Sequence, residues 1–142
     1  LEADLLKLAG DLPGKVCFKE EMNLALSRRI YSSADILLMP SRYEPCGLAQ
    51  MIAMRYGCIP IATATGGLKD TIMDYAHDPN SATGFLADTP DSPAFSDRIR
   101  IALDVFSKKN AWLKMQENGM KTDFSWQRPA REYLALYDQL MN

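Results

Sequence analysis

The chain has 142 residues, of which 47% are hydrophobic and 24% are charged, and its formal net charge is −2 at pH 7. This size and composition are ordinary for one globular domain with its own hydrophobic core. The small net charge excludes the strongly basic surface with which many proteins bind nucleic acid or anionic membranes. No apolar run approaches the roughly 20 residues of a membrane-spanning helix, and the first residues lack a signal-peptide pattern.

The few cysteines and the single histidine limit the possible chemistry. Cys17, Cys46 and Cys58 are an odd number of thiols without a C-x-x-C pair, which disfavours structural zinc and a disulfide framework and favours a reducing compartment. His77, the only histidine, lies in a polar stretch, so neither a Ser-His-Asp triad nor a His-rich metal site is expected. We predict no metal site and no cofactor.

The first half of the chain alternates between helical periodicity and short apolar runs. In chain order the predicted elements are a helix that stops at Pro13-Gly14, a strand at KVCF (15–18), a helix over 24–34, a strand at DILLMP (35–40), a helix over 48–56, a strand at CIPIATA (58–64), and a helix within TGGLKDTIMDY (65–75). The continuous apolar runs are typical of strands that are buried on both faces.

The second half is mainly helical. The predicted elements are a polar loop at AHDPNSATG (76–84), a strand at GFLA (84–87), an amphipathic helix over 95–106, a helix at AWLKMQENGM (111–120), and a last helix from Gln127 to Met141. Tyr133 and Tyr137 lie at helical spacing in that last helix, and we expect them to face the core rather than to bind a ligand.

Strands that alternate with helices indicate a parallel sheet covered on both sides, as in a Rossmann-like, doubly wound α/β fold. Only about three or four strands are predicted, fewer than a complete doubly wound sheet contains. The opening LEADLLKLAG also reads as the interior of a domain that begins upstream. The sequence therefore predicts part of an α/β domain.

The first candidate site segment is PSRYEPCGL (40–48), between a strand and a helix. Pro45 restricts Glu44 to an extended conformation, just before the positive end of the helix. Glu44 is therefore either a ligand-binding carboxylate or only an acid that stabilises the helix dipole. Cys46 is a less favoured nucleophile because no histidine lies nearby in sequence. Arg42 is either a phosphate partner or a solvated turn residue.

The second candidate segment is ATATGGLKD (62–70), again between a strand and a helix. Gly66 and Gly67 would let an anion approach the unpaired amides of the first helical turn. A turn that needs glycine only for its backbone geometry is the more common explanation of such a pair. Because ligands of open α/β sheets bind beyond the carboxyl ends of the strands, the two segments together predict one crevice that accepts a sugar diphosphate.

The stretch PSRYEPCGLAQMIAMRYGCIPIATATGGLKDTI (40–72) closely resembles the signature of the glycogen and starch synthases, and TGFLAD and DFSWQRPAREYLALYDQL resemble the end of the same family's C-terminal domain. The resemblance implies a GT-B architecture of two Rossmann-like domains. Residues 1–142 would be most of the C-terminal, nucleotide-sugar-binding domain, without its first strand segment and without the N-terminal domain. The implied reaction transfers glucose from ADP-glucose or UDP-glucose to the non-reducing end of an α-1,4-glucan, with retention.

The resemblance also implies roles for particular residues. Glu44 would contact the donor glucose, and the backbone of Cys46, Gly47 and Leu48 would line the glucose and the phosphate. The diphosphate loop would be Thr65, Gly66 and Gly67. Met22 would take the place of an aromatic residue that covers the base. The implied partners are the nucleotide sugar, the glucan and the N-terminal domain of the parent enzyme, with neither nucleic acid nor membrane. The implied compartment is the cytoplasm, or the plastid in a plant.

Departures from the family pattern leave alternatives open. The Arg and Lys that neutralise the leaving group in the family precede the first residue of this chain, so the chain alone is expected to be inactive. Other retaining GT-B enzymes commonly have a second glutamate eight residues after the first, where this chain has Ile52; this favours a synthase over such an enzyme. A non-catalytic module that binds a nucleotide sugar, or serves as a scaffold, is the third interpretation.

Overall fold

A computed structural model describes residues 2–141 of the chain, with Arg128 described by its backbone only. These residues form seven helices and three strands. In chain order they are α1 (Glu2–Asp11), α2 (Leu24–Ser33), β1 (Ile36–Met39), α3 (Ala49–Arg55), β2 (Ile59–Thr63), α4 (Gly66–Thr71), β3 (Phe85–Ala87), α5 (Ser92–Phe106), α6 (Lys109–Lys121) and α7 (Gln127–Met141). None of these helices is both long and apolar enough to cross a bilayer.

The three strands form one parallel sheet in the order β1-β2-β3. Ile36 pairs with Ile59, and Ile61 pairs with Phe85. Each pair of neighbouring strands is connected through a helix, as parallel pairing requires. All five residues of the central strand β2 are buried, which explains why its sequence is a continuous apolar run instead of an alternating one. The predicted parallel α/β architecture is confirmed.

The core lies on both faces of the sheet because successive residues of a strand point to opposite sides. Ile59 and Ile61 belong to a buried cluster that includes Trp112 of α6. Ala62 belongs to a second cluster with Met54 of α3. Helices therefore cover both faces of the sheet, as in a doubly wound fold, and α3 is fixed directly behind the end of β1.

Two side chains of the neighbouring elements hold the turn between α3 and β2 in place. The Gln116 side-chain amide donates a hydrogen bond to the Gly57 carbonyl oxygen at 2.7 Å. The Arg55 guanidinium donates to the Met120 carbonyl oxygen at 2.6 Å. Since Gln116 and Met120 are both on α6, these bonds fix α6 against the C-terminal end of α3, opposite to the end that follows β1.

The strand predicted at residues 15–18 is wrong. These residues form a turn followed by an irregular segment that continues to the start of α2. A strand is stable only when a neighbour accepts and donates its backbone hydrogen bonds. Within residues 2–141 the sheet begins at β1, and no strand lies beside residues 15–18.

The prediction that Tyr133 and Tyr137 face the core is also wrong for the described part of the chain. Their side chains are 55% and 56% exposed, and their rings contact each other with centroids 6.5 Å apart. Leu134 and Leu140 of the same helix are exposed as well. Helical spacing shows which face would be buried, but no element of residues 2–141 covers that face of α7.

The three thiols differ in accessibility, and this gives a test of the fold. Cys58 is buried, whereas Cys17 and Cys46 are exposed. Burial, and secondarily the nearby Asp35 carboxylate, raises the pKa of the Cys58 thiol to about 11. Because the thiolate is the reactive form, we expect Cys17 and Cys46 to react with a colorimetric disulfide reagent in the native protein while Cys58 reacts only after unfolding. Three equally fast thiols in native buffer would contradict this fold.

Candidate functional site

The two predicted site segments meet at the carboxyl edge of the sheet. They are residues 40–48, which we call the carboxylate segment, and residues 62–70, which we call the glycine segment. The first follows β1 and the second follows β2, and these strands are parallel neighbours in which Met39 pairs with Ala62. The Gly67 backbone N–H donates a hydrogen bond to the Glu44 carbonyl oxygen at 3.1 Å. The structure therefore brings together the carboxylate segment and the glycine segment that the sequence separates by about twenty residues.

The contact between the segments requires glycine on one side. Gly66 has a φ of +44°, in the left-handed region that residues with a Cβ rarely adopt. A Cβ on Gly66 would overlap the Glu44 carbonyl oxygen, and a Cβ on Gly67 would overlap the Cys46 carbonyl oxygen. The two glycines thus allow close approach of one protein backbone to another. This differs from the anion approach that the sequence suggested, because the Gly67 N–H is already used.

Other amides at the crevice are unused within the described residues. No residue of 2–141 accepts a hydrogen bond from the N–H groups of Cys46, Gly47, Leu48 or Gly66. The residues that precede α3 and α4 also provide no side-chain cap. Unpaired amides at the start of a helix favour a bound anion. The crevice therefore has unused backbone hydrogen-bond donors, whereas the Gly67 amide is bonded within the protein.

The predicted residues Glu44 and Cys46 lie in this segment with different exposures. Glu44 is half-buried, and the Cys46 side chain is exposed. His77 lies between α4 and the start of β3, which places it toward the opposite edge of the parallel sheet. Within the described part of the chain, Cys46 therefore has no histidine to act as its base, which disfavours a nucleophilic thiol.

Thr65 lies directly before α4, where its backbone is extended. Its carbonyl oxygen accepts a hydrogen bond from the Leu68 N–H at 3.1 Å, and its own N–H donates to the Thr63 carbonyl oxygen at 2.8 Å. Its side chain makes no capping hydrogen bond to α4. Thr65 therefore fixes the backbone of the turn, and its hydroxyl is not used in the cap.

Two further residues that the sequence singled out lie outside this contact. Met22 is 99% exposed in the irregular segment before α2, so its side chain contacts almost nothing within residues 2–141. Arg42 lines a cavity of about 380 Å³ with Thr63 and Phe95, beside the crevice. A larger groove of about 580 Å³ lies along α3 and the residues after α6, away from the crevice.

Two polar residues that the sequence did not single out, Gln50 of α3 and Thr71 of α4, form hydrogen bonds behind the crevice. Gln50 is fully buried, and its side-chain amide contacts the Cys46 and Gly47 carbonyl oxygens and the Thr71 hydroxyl. A glutamine is unusual on the same helix face as the core residues Ala53 and Met54. This position in the sequence was the signal that could have indicated a buried polar residue. Among residues 2–141, no cluster of His, Cys, Asp and Glu is placed to hold a metal ion.

The fold and this crevice define a class of protein, and comparison with known families names it. Residues 2–121 match the family described as "Glycosyl transferases group 1". That match covers most of the chain, and the chain belongs to this family.

Similar proteins within the class include glycogen synthases. The chain is 44% identical to glycogen synthase of Thermosipho africanus over 133 residues, which is 93% of this chain and 27% of the relative. It is 45% identical to glycogen synthase 1 of Synechocystis over 137 residues, which is 96% of this chain and 28% of the relative. The resemblance seen in the sequence is confirmed. The chain spans less than a third of the length of these relatives.

Solved structures give the same result for the fold. The catalytic domain of starch synthase IV from Arabidopsis thaliana, bound to ADP and acarbose, superposes with a TM-score of 0.86 at 36% identity, over 96% of this chain and 29% of that one. Sucrose-phosphate synthase from Thermosynechococcus elongatus superposes with a TM-score of 0.65 at 30% identity, over 99% of this chain and 34% of that one. The predicted GT-B glycosyltransferase fold class is confirmed.

The close approach of the two segments can be tested by adding a methyl group. Gly66→Ala should lower the free energy of unfolding by more than the roughly 1–3 kcal/mol of a left-handed residue alone, because the Cβ also overlaps the Glu44 carbonyl. Gly14→Ala is the matched control: Gly14 has a φ of +76° but nothing within 4 Å of the added atom. Urea unfolding measures both variants. Equal losses would show that the segments are not in close contact.

Proposed function

We propose that this chain is most of the C-terminal, nucleotide-sugar-binding domain of a retaining glucosyltransferase of the glycogen and starch synthase type. The proposed reaction moves glucose from ADP-glucose to the non-reducing end of an α-1,4-glucan. The observation that carries the proposal is the contact of the Glu44 segment with the Gly66-Gly67 turn at the carboxyl edge of the sheet. The similarity to glycogen synthases supports the reaction class.

The proposed chemistry follows from the groups at the crevice. When the bond between glucose and the diphosphate breaks, negative charge develops on the departing phosphate oxygen. Backbone N–H groups that are already fixed in place stabilise such charge without reorganisation. The unused amides of Gly47, Leu48 and Gly66 are assigned this role. The Glu44 carboxylate accepts hydrogen bonds from the donor glucose and orients it, and Cys46 contributes its backbone only.

The rest of the proposed enzyme lies outside this chain. The relatives are more than three times as long as the part that matches, and the family resemblance places an Arg-Lys segment and an N-terminal domain in the remainder. The apolar face of α7, with Leu134 and Leu140 61% and 76% exposed, is a surface that such a domain would cover. The isolated chain is therefore proposed to be inactive. Its three free thiols suit a reducing cytoplasm.

The donor can be tested in the complete enzyme, or in a chimera in which this chain replaces the matching region of Synechocystis glycogen synthase 1. We expect faster incorporation of labelled glucose into glycogen from ADP-glucose than from UDP-glucose, since ADP is the nucleotide bound to the Arabidopsis starch synthase. Faster incorporation from UDP-glucose would overturn the donor but not the reaction. Transfer only to a small acceptor would instead favour another retaining GT-B enzyme.

The role of Glu44 can be tested by a change that keeps its shape. Glu44→Gln removes the negative charge from the half-buried side chain, and we expect glucose transfer in the same complete enzyme or chimera to fall by about a hundred-fold or more because the donor is misplaced. Glu117→Gln, on the exposed surface of α6, is the control and should keep full activity. An unchanged rate for Glu44→Gln, with the wild-type enzyme active, would refute the site assignment.

A further inference from the structure

We infer that Gln50 and Thr71 are positioning residues of the donor site, which together fix the Glu44 segment against the Gly66-Gly67 turn. This inference rests on the proposed function, because it concerns the same crevice. Gln50 is the second residue of α3, and Thr71 is the last residue of α4. The pair therefore links the helices that follow β1 and β2, one behind each half of the crevice.

The hydrogen bonds form one connected network. The Gln50 Nε2 group lies 2.8 Å from the Gly47 carbonyl oxygen, 3.1 Å from the Cys46 carbonyl oxygen and 3.1 Å from Thr71 Oγ1. The Thr71 hydroxyl in turn donates to the Gly67 carbonyl oxygen at 2.5 Å. One buried side chain thus connects the carboxylate segment to the glycine turn through a single hydroxyl.

The directions of these bonds explain why a glutamine is needed. The Thr71 hydroxyl has one hydrogen, and it is used on Gly67, so Thr71 Oγ1 acts only as an acceptor toward Gln50. The Cys46 and Gly47 carbonyl oxygens are also acceptors. All three neighbours are therefore acceptors, and the two hydrogens of the side-chain NH2 group are shared among them. The Gln50 Oε1 atom is buried and has no hydrogen-bond partner within the described residues.

The carboxylate segment depends on this network because it has little other support. Residues 41–47 contain no helix or strand. The hydrogen bonds that they make to other described residues all run to Gln50 or to Gly67. Gln50 also fills the space beside Gly47, where an added Cβ would lie 2.5 Å from its Oε1. Without Gln50 or Thr71, the backbone of Glu44 and the unused amides would lose their fixed position.

The Thr71 hydroxyl is the better place for a test, since its removal keeps the side-chain shape. In the complete enzyme, or in the Synechocystis chimera described above, we expect Thr71→Val to lower kcat with ADP-glucose by up to about a hundred-fold, with the KM for glycogen unchanged. Thr71→Ser keeps the hydroxyl and should restore kcat. The matched control is Thr122→Val, which deletes a similar bond from a threonine hydroxyl to the Asn118 carbonyl oxygen at the end of α6.

A second pair of variants tests the donor group itself. Gln50→Glu replaces the NH2 group by an oxygen that cannot donate when ionised, and we expect the same loss of kcat. Gln116→Glu changes the other glutamine that donates to a backbone carbonyl, at Gly57, and should keep kcat. Hydrogen exchange at the buried Gly67 amide, which donates to the Glu44 carbonyl oxygen, is the readout independent of activity, and it should become faster in Gln50→Glu and Thr71→Val only.

The outcomes separate this inference from the proposed function. If the wild-type enzyme is active and Thr71→Val loses no more activity than Thr122→Val at equal melting temperature, Gln50 and Thr71 are only structural and the inference is overturned. If the wild-type enzyme transfers no glucose, the proposed function fails. In that case unchanged hydrogen exchange at the Gly67 amide in both variants would overturn the positioning role as well.

Discussion

The hydrogen bond from the Gly67 N–H to the Glu44 carbonyl oxygen is the interaction on which the crevice depends. Neighbouring parallel strands lie about 4.8 Å apart, so the segments that leave β1 and β2 start close together. Side chains would normally keep such segments apart. Here Gly66 and Gly67 have none, and the two backbones come into direct contact. The distance between the Glu44 carboxylate segment and the start of α4 is therefore set by backbone atoms, which have few alternative conformations.

This contact determines which groups remain for a ligand. The Gly67 amide is used within the protein, and the carbonyl oxygens of Cys46 and Gly47 are used by Gln50. The N–H groups of Cys46 and Gly47 make no hydrogen bond within residues 2–141. The polarity of the crevice follows from this division: the carbonyl oxygens of Glu44, Cys46 and Gly47 accept hydrogen bonds from within the protein, while N–H donors remain. Such an arrangement of unused backbone donors suits an anionic ligand.

Most of the fold could be predicted from the sequence because the long periodic elements and the fully apolar strand β2 have strong local patterns. The two segments of the crevice were also predictable, since the carboxyl ends of neighbouring parallel strands meet. The errors have one physical cause. The sequence of residues 15–18 fits a strand, and Tyr133 and Tyr137 fit a buried helix face, but a pattern cannot show whether the partner is within the same residues. The position of Gln50 on the core face of α3 could have indicated its burial, but no local pattern shows that its side chain meets Thr71 of another helix.

Burial differs between the strands and the terminal helices of the described chain. β2 and β3 are fully buried, whereas β1 is only partly buried and Leu38 within it is 50% exposed. The exposed apolar faces of α1 and α7 lie at the two ends of the described chain. The hydrogen bonds of Gln50 Nε2 and of the Thr71 hydroxyl, by contrast, are all made to residues of this chain. The Glu44 segment and the Gly66-Gly67 turn therefore take their shape from residues of this chain, and in the proposed enzyme the Arg-Lys segment that precedes this chain would supply the cations of the leaving group.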